Sequence, residues 1–114
     1  MGLTLLRTTR SPILNEARDF VTGLYDADGQ MLEQTEYIPV LAFALQPVCE
    51  EIIRAFAGDI HPGDVFLHND VFSGGNQNND VAVFRPIFHG ETLVAWAACK
   101  GHQADIGGAV AGGY

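Results

Sequence analysis

Residues 80–102 run Asp80-Val81-Ala82-Val83-Phe84-Arg85-Pro86-Ile87-Phe88-His89-Gly90-Glu91-Thr92-Leu93-Val94-Ala95-Trp96-Ala97-Ala98-Cys99-Lys100-Gly101-His102. β-Branched and aromatic side chains fill Val81–Phe88 and Thr92–Ala98, and His89-Gly90 separates the two runs, so the stretch reads as two strands joined by a tight turn. Pro86 has no backbone N–H and points to an edge or a bulge in the first strand. An antiparallel hairpin returns its outer ends to one place. Asp80 and His102 are therefore expected at the same end of the sheet, within metal-binding reach of each other.

Working outward, residues 69–80 are polar and glycine-bearing, and read as a loop. Before them, His61-Pro62-Gly63-Asp64 reads as a turn and Val65–His68 as a short strand. Val48, Cys49, Ile52, Ile53 and Phe56 recur at helical spacing, predicting an amphipathic helix over about residues 47–57. Pro47 suits its first position, Glu50 and Glu51 its first turn, and Gly58 its stop. Near the start, Phe20–Tyr25 and Gln30–Gln34 flank Asp26-Ala27-Asp28-Gly29, a hairpin signal. The same acidic stretch fails as a calcium loop, because Leu24 and Thr35 would occupy its first and last ligand positions. Met1–Arg7 reads as an uncapped apolar helix stopped at Ser11-Pro12. Strands outnumber helices and tight turns join most of them. The expected fold class is α+β, with a mixed, largely antiparallel sheet and one amphipathic helix, forming part of a larger fold.

The 114 residues suit one domain, and 47% hydrophobic with 18% charged residues is a globular balance. Fourteen acidic and 6 basic side chains give a net charge of −8, which repels phosphate backbones and anionic membranes. Nucleic acid and membrane are thus unexpected partners. Cys49 and Cys99 are too few for a disulfide framework, and no signal peptide or transmembrane run is visible, so the expected setting is a reducing cytoplasm.

The densest polar chemistry combines the 69–80 loop with Lys100-Gly101-His102-Gln103-Ala104-Asp105. Asp80, His102 and Asp105 could supply a carboxylate and imidazole set for Mn²⁺, Zn²⁺ or Fe²⁺. Alternatively Asp80 caps a turn and His102 bonds a carbonyl. Cys99 and His102 could form a thiolate–imidazole pair, although no orienting third group is evident. Gly107 and Gly112 have the outer spacing of a phosphate loop, but Gly113 and Tyr114 stand where Lys and Ser or Thr are required. His61 and His89 are expected to face solvent, and Arg7, Arg10 and Arg18 to pair with Glu16 and Asp19. Cys49 and Trp96 are expected to pack in the core.

Together these segments resemble the hydantoinase B/oxoprolinase family. The stretches that carry the likeness are Leu6-Arg7 with Ser11-Pro12, Glu16-Ala17-Arg18-Asp19-Phe20, Leu24-Tyr25-Asp26-Ala27-Asp28-Gly29, Glu36-Tyr37-Ile38-Pro39-Val40, Pro62-Gly63-Asp64-Val65-Phe66-Leu67-His68-Asn69-Asp70, Gly74-Gly75, Asp80-Val81 and His102-Gln103-Ala104-Asp105-Ile106-Gly107-Gly108. The resemblance implies the N-terminal portion of a large subunit, residues 1–114 being incomplete at both ends. It implies an ATP-dependent enzyme that hydrolyses cyclic amides such as hydantoin or 5-oxoproline, or carboxylates ketones such as acetone or acetophenone. A hydantoinase A-type partner would bind ATP and phosphorylate a carbonyl or enolate oxygen, giving a hetero-oligomer acting on a small molecule.

The same resemblance implies a metal motif of His, two residues, Asp, and a second His 22 positions after the Asp; Asp80 and His102 fill its last two places. Gln77 stands where the first His is expected, and Tyr37 and Leu41 where relatives often carry further histidines. The implied catalytic residues are His102 and Asp80, the substrate-binding ones Asn69 and Asp70, and the metal set Asp80, His102, Gln77 and Asp105. Loss of the imidazole at position 77 also admits a non-catalytic scaffold subunit with a degenerate site. The 74–80 run looks nearest to the acetophenone carboxylase branch.

Overall fold

In the computed structural model, which describes residues 1–35, 37, 39–110 and 112, the 80–102 hairpin is the spine of the sheet. In chain order the elements are α1 (Gly2–Thr8), α2 (Pro12–Asn15), β1 (Phe20–Asp26), β2 (Met31–Gln34), α3 (Pro39–Phe43), α4 (Leu45–Ala55), β3 (Phe66–His68), a 3₁₀ turn (Val71–Ser73), β4 (Asp80–His89) and β5 (Thr92–His102). The strands form one sheet in the order β2-β1-β5-β4-β3, and every neighbouring pair is antiparallel. The α+β expectation is met.

β5 runs to His102 rather than ending at Ala98. Cys99-Lys100-Gly101-His102 has little strand propensity of its own. It is extended because β1 on one side and β4 on the other supply ladder partners as far as Gly101 and His102. Pro86 sits where β4 has outrun β3, whose last partner in that direction is Phe84, so its missing N–H costs no bond to β3. A register shift follows at Ile87/Phe88.

The β1–β2 hairpin forms as expected. Gly29 adopts φ +87° in its turn, and Asp26 Oδ1 accepts from Asp28 N at 3.0 Å and Gln30 N at 2.8 Å.

The amphipathic helix starts two residues before the expected boundary, at Leu45. Pro47 is its third residue, still within the first turn, where backbone N–H groups have no acceptor in the helix. Glu50 and Glu51 consequently lie beyond the first turn, and Glu51 instead takes Arg54 in a bidentate pair, with Nε donating at 2.9 Å. α1 ends at Thr8, short of the expected stop at Ser11-Pro12, and Pro12 opens α2, since its fixed φ suits a first helical position. α3 was not expected.

Alternation places Val21, Tyr25, Ala82, Phe84, Trp96 and Ala98 on one face of the sheet, packed under Leu41, Ala42, Leu45, Val48, Cys49 and Ile52 from α3 and α4. Trp96 and Cys49 are fully buried. The same alternation puts Asp80, Lys100 and His102 on this face at its far end, where the apolar core gives way to a polar one. The expected ion pairs of Arg7, Arg10 and Arg18 with Glu16 and Asp19 do not form; among the described residues the pairs are Arg54–Glu51, His61–Asp59 and His102–Asp80. Arg18 instead lies 5.6 Å above the Tyr37 ring, which packs on Phe20. Among the described residues no helix is long and apolar enough to cross a membrane.

Candidate functional site

Asp80 opens β4 and His102 closes β5, and the two are direct partners across the ladder. His102 Nδ1 lies 2.9 Å from Asp80 Oδ1. Gln77 completes a triangle, its Nε2 donating to Asp80 Oδ1 at 3.3 Å and standing 3.1 Å from His102 Nδ1. A carboxylate can only accept, so Nδ1 carries the proton and points it at Asp80; the Gln77 amide nitrogen, itself a donor, then bonds Asp80 and only stands beside Nδ1. That leaves the lone pair on Nε2. Asp80 is 2% exposed, whereas the His102 side chain is 22% exposed and reachable.

The segment that delivers Gln77 is held locally. Asp70 accepts from Phe72 N at 2.9 Å and from Ser73 Oγ at 2.8 Å, which holds its carboxyl below the usual carboxylate range. Gly75 N donates to Asp70 O at 3.0 Å, an approach so close that a Cβ on Gly75 would lie 2.6 Å from that oxygen. Asn69 Nδ2 donates to Asn78 O at 2.9 Å. Asn69 and Asp70 thus spend their side chains on the loop. Asp105 does the same further on, accepting from Gly107 N at 2.8 Å. It does not join Asp80 and His102: among the described residues no three His, Cys, Asp or Glu side chains could hold one ion together. The donors that could anchor an ion are Asp80 and His102, with Gln77 able to add an amide oxygen if its side chain turns over. Such a set fits an ion whose other positions belong to water or substrate oxygens.

Three neighbours were not among the named site residues, although Lys100 and Asn76 lie in the two polar segments expected to form the site. Lys100 is 1% exposed on the same face as Asp80, and its ammonium donates to Asn76 Oδ1. Burial lowers its pKa while the charge of Asp80 opposes that shift. Asn76 in turn donates to Val40 O at 3.0 Å. Asp19, whose carbonyl accepts from His102 N at 3.0 Å, has its carboxyl pKa raised by burial; His102 opposes the shift and Asp80 adds to it. With β5 drawn to His102, alternation alone would have put Lys100 beside the pair.

Cys99 and His102 are three residues apart on one strand, so their side chains leave opposite faces, and burial raises the Cys99 thiol pKa. The thiolate–imidazole pair is therefore absent. Leu41 is core and Tyr37 stacks between Phe20 and Arg18, so neither position approximates a ligand. His61 and His89 are exposed, as expected. Glu36, Ile38, Gly113 and Tyr114 lie outside the described residues. A cleft of about 580 Å³ lies between α4 and β3, and neither Asp80 nor His102 lines it. His68 and Ser73 line it and are hydrogen-bonded at 2.9 Å.

The hydantoinase B/oxoprolinase family model matches residues 1–114. The chain belongs to that family. It is 39% identical over 114 residues to the caprolactamase subunit beta of Pseudomonas jessenii, covering 100% of this chain and 20% of that one. It is 31% identical over 112 residues to 5-oxoprolinase 1 of Arabidopsis thaliana, covering 98% of this chain and 9% of the relative. The chain thus spans a fifth or less of these relatives' length. The crystal structure of the ATP-dependent caprolactamase of P. jessenii superposes with a TM-score of 0.87 at 38% identity, covering 95% of this chain and 19% of that one. A nucleotide-free structure of acetone carboxylase, from work on ATP-dependent acetone carboxylation, superposes at 0.77 and 27% identity, covering 95% and 14%.

Proposed function

We propose that this chain is part of the hydantoinase B-type subunit of an ATP-dependent enzyme, in which a hydantoinase A-type partner phosphorylates the substrate's carbonyl or enolate oxygen and this part acts on the activated small molecule. The assembly would be a cytoplasmic hetero-oligomer. Between cyclic-amide hydrolysis and ketone carboxylation, the higher identity and TM-score with the caprolactamase favour a lactam as substrate.

The Asp80–His102 pair carries this reading. Phosphorylation converts a poor leaving oxygen into a good one, so the remaining task is to bring water to the activated carbon. His102 Nε2 takes a proton from that water as its oxygen bonds to carbon and passes it to the substrate nitrogen as the C–N bond breaks, leaving an acyl phosphate that a second water hydrolyses to carboxylate and phosphate; Asp80 holds the imidazole in the required tautomer and stabilises the imidazolium. Were Asp80 and His102, with at most an amide oxygen from Gln77, to hold a divalent Mn, Zn or Fe ion, His102 would be a ligand and not the base, and the ion would supply polarisation of the substrate oxygen.

The test is lactam-dependent ring opening and phosphate release by the intact protein with its ATP-binding partner. His102→Ala should abolish ring opening. Ring opening at the parent rate in both His102→Ala and Asp80→Ala would refute the catalytic reading and leave the scaffold role, which the Gln at position 77 favours.

A further inference from the structure

We infer that Lys100 is a positioning residue: through Asn76 its buried ammonium clamps the segment carrying Gln77 onto the Asp80–His102 pair. Its service to turnover rests on the function proposed above; the clamp itself does not.

Lysine is almost never fully buried unless paired, yet Lys100 is 1% exposed at the mouth of the polar end of the core. An ammonium has three donors and no acceptor, and the acceptor provided here is Asn76 Oδ1. Asn76 passes the constraint on, donating from Nδ2 to Val40 O in the first turn of α3 at 3.0 Å. One short side-chain relay therefore joins β5, the 74–79 loop and α3. Residues 74–79 belong to no helix or strand; their other ties include Gly75 N to Asp70 O at 3.0 Å, Asp80 N to Gln77 O at 3.0 Å, Asn69 Nδ2 to Asn78 O at 2.9 Å and Gln103 N to Asn79 O at 2.8 Å, and none of these reaches α3. Gln77 is exposed, but its amide donates to Asp80 Oδ1 at 3.3 Å, beside the His102 ring. To these backbone ties the neighbouring residue's bond to a buried charge adds a side-chain anchor on the sheet. A charge-assisted bond is about twice as strong as a neutral one, so Lys100–Asn76 outweighs Asn76–Val40 in the relay.

The experiment compares amide hydrogen exchange and turnover in the intact protein with its partner, for the parent, Asn76→Ala, Asn76→Asp and Lys100→Met. Asn76→Ala should speed exchange across residues 74–80 by about 10-fold with α4 unchanged, and Lys100→Met should speed it there at least as much, with α4 also faster because the core itself is destabilised. Asn76→Asp keeps the acceptor for Lys100 and gives up only the donor to Val40, so it should stay within about threefold of the parent. In turnover, Asn76→Ala should lower kcat about 10-fold with the KM for ATP unchanged, and Asn76→Asp should recover most of it. Unchanged exchange in Asn76→Ala overturns the clamp. Faster exchange with unchanged kcat overturns the positioning role. If the parent shows no turnover, the proposed function fails, while exchange still decides the clamp.

Discussion

Asp80 and Lys100 are diagonal neighbours on one face of the β4–β5 ladder, 2% and 1% exposed, and the charge of Asp80 favours the ammonium of Lys100. Removing one member of a buried charge pair costs about 3–5 kcal/mol, because the other is left uncompensated. Here Lys100 keeps Asn76 as acceptor and His102 is partly solvated, so Asp80→Asn should fall near ~3 kcal/mol, the lower end of that range. Lys100→Met should cost less, because Asp80 keeps His102 Nδ1 at 2.9 Å and the Gln77 amide at 3.3 Å. Together the two replacements remove both charges, and the double variant should lose far less than the sum of the single ones. The expected coupling is about 2 kcal/mol, well above the ~0.5 kcal/mol scatter of independent sites. Trp96, the single tryptophan, is fully buried on the same face and reports unfolding by fluorescence. Urea titration of all four proteins gives the cycle. If the single effects add within about 0.5 kcal/mol, Asp80 and Lys100 do not compensate one another and the polar end of the core is held by its other hydrogen bonds.

Gln77→His should raise divalent-metal content, because an imidazole is a stronger ligand for these ions than an amide oxygen, and adding His102→Ala should remove that metal; metal analysis of the purified proteins checks both. His68 offers a pH test. Burial lowers its pKa below the ordinary 6.5, with Asp70 opposing and Lys100 adding to the shift. On acidification the unfolded chain therefore takes up this proton before the folded one, so stability is present above pH 6.5 and falls as the pH drops below it. His68→Gln should flatten unfolding midpoints over that acid side of pH 6.5. Gly29→Ala should destabilise by ~1–2 kcal/mol, seen as a lower urea midpoint, since φ is +87° and the new Cβ would sit 3.1 Å from Ile53 Cδ1.

The elements legible in the sequence were those whose local preference and tertiary environment agree. The 80–102 hairpin, the Asp-Gly turn of β1–β2 and the apolar stripe of α4 all carry signals that need no knowledge of the rest of the chain. The hairpin argument also gave the Asp80–His102 juxtaposition, because pairing returns its outer ends whatever the residues between them. Where the reading failed, a distant partner had decided the outcome. α3 is five residues of unremarkable pattern held by packing against β1 and α4. Arg18 turned to an aromatic face at 5.6 Å rather than to a nearby acid, a choice that depends on where Tyr37 arrives. Asp105 was placed near the pair by its closeness in sequence to His102. Beyond β5 the chain has left the ladder, and the carboxyl is consumed by a turn at Gly107.

One misplaced boundary accounts for the largest omission. Ending β5 at Ala98 left Lys100 in a loop, where a lysine is naturally assigned to solvent. Continuing the strand to His102 fixes its side: residues 98, 100 and 102 share a face, and the Ala98 position is already core. A buried cation two residues from His102 and diagonal to Asp80 then follows from register alone. The failure was not in the chemistry of the motif but in the strand that carries it, whose end is set by β1 and β4 together. Propensity across Cys99–His102 could not show that, because both ladders are formed by segments remote in sequence or already assigned a shorter span.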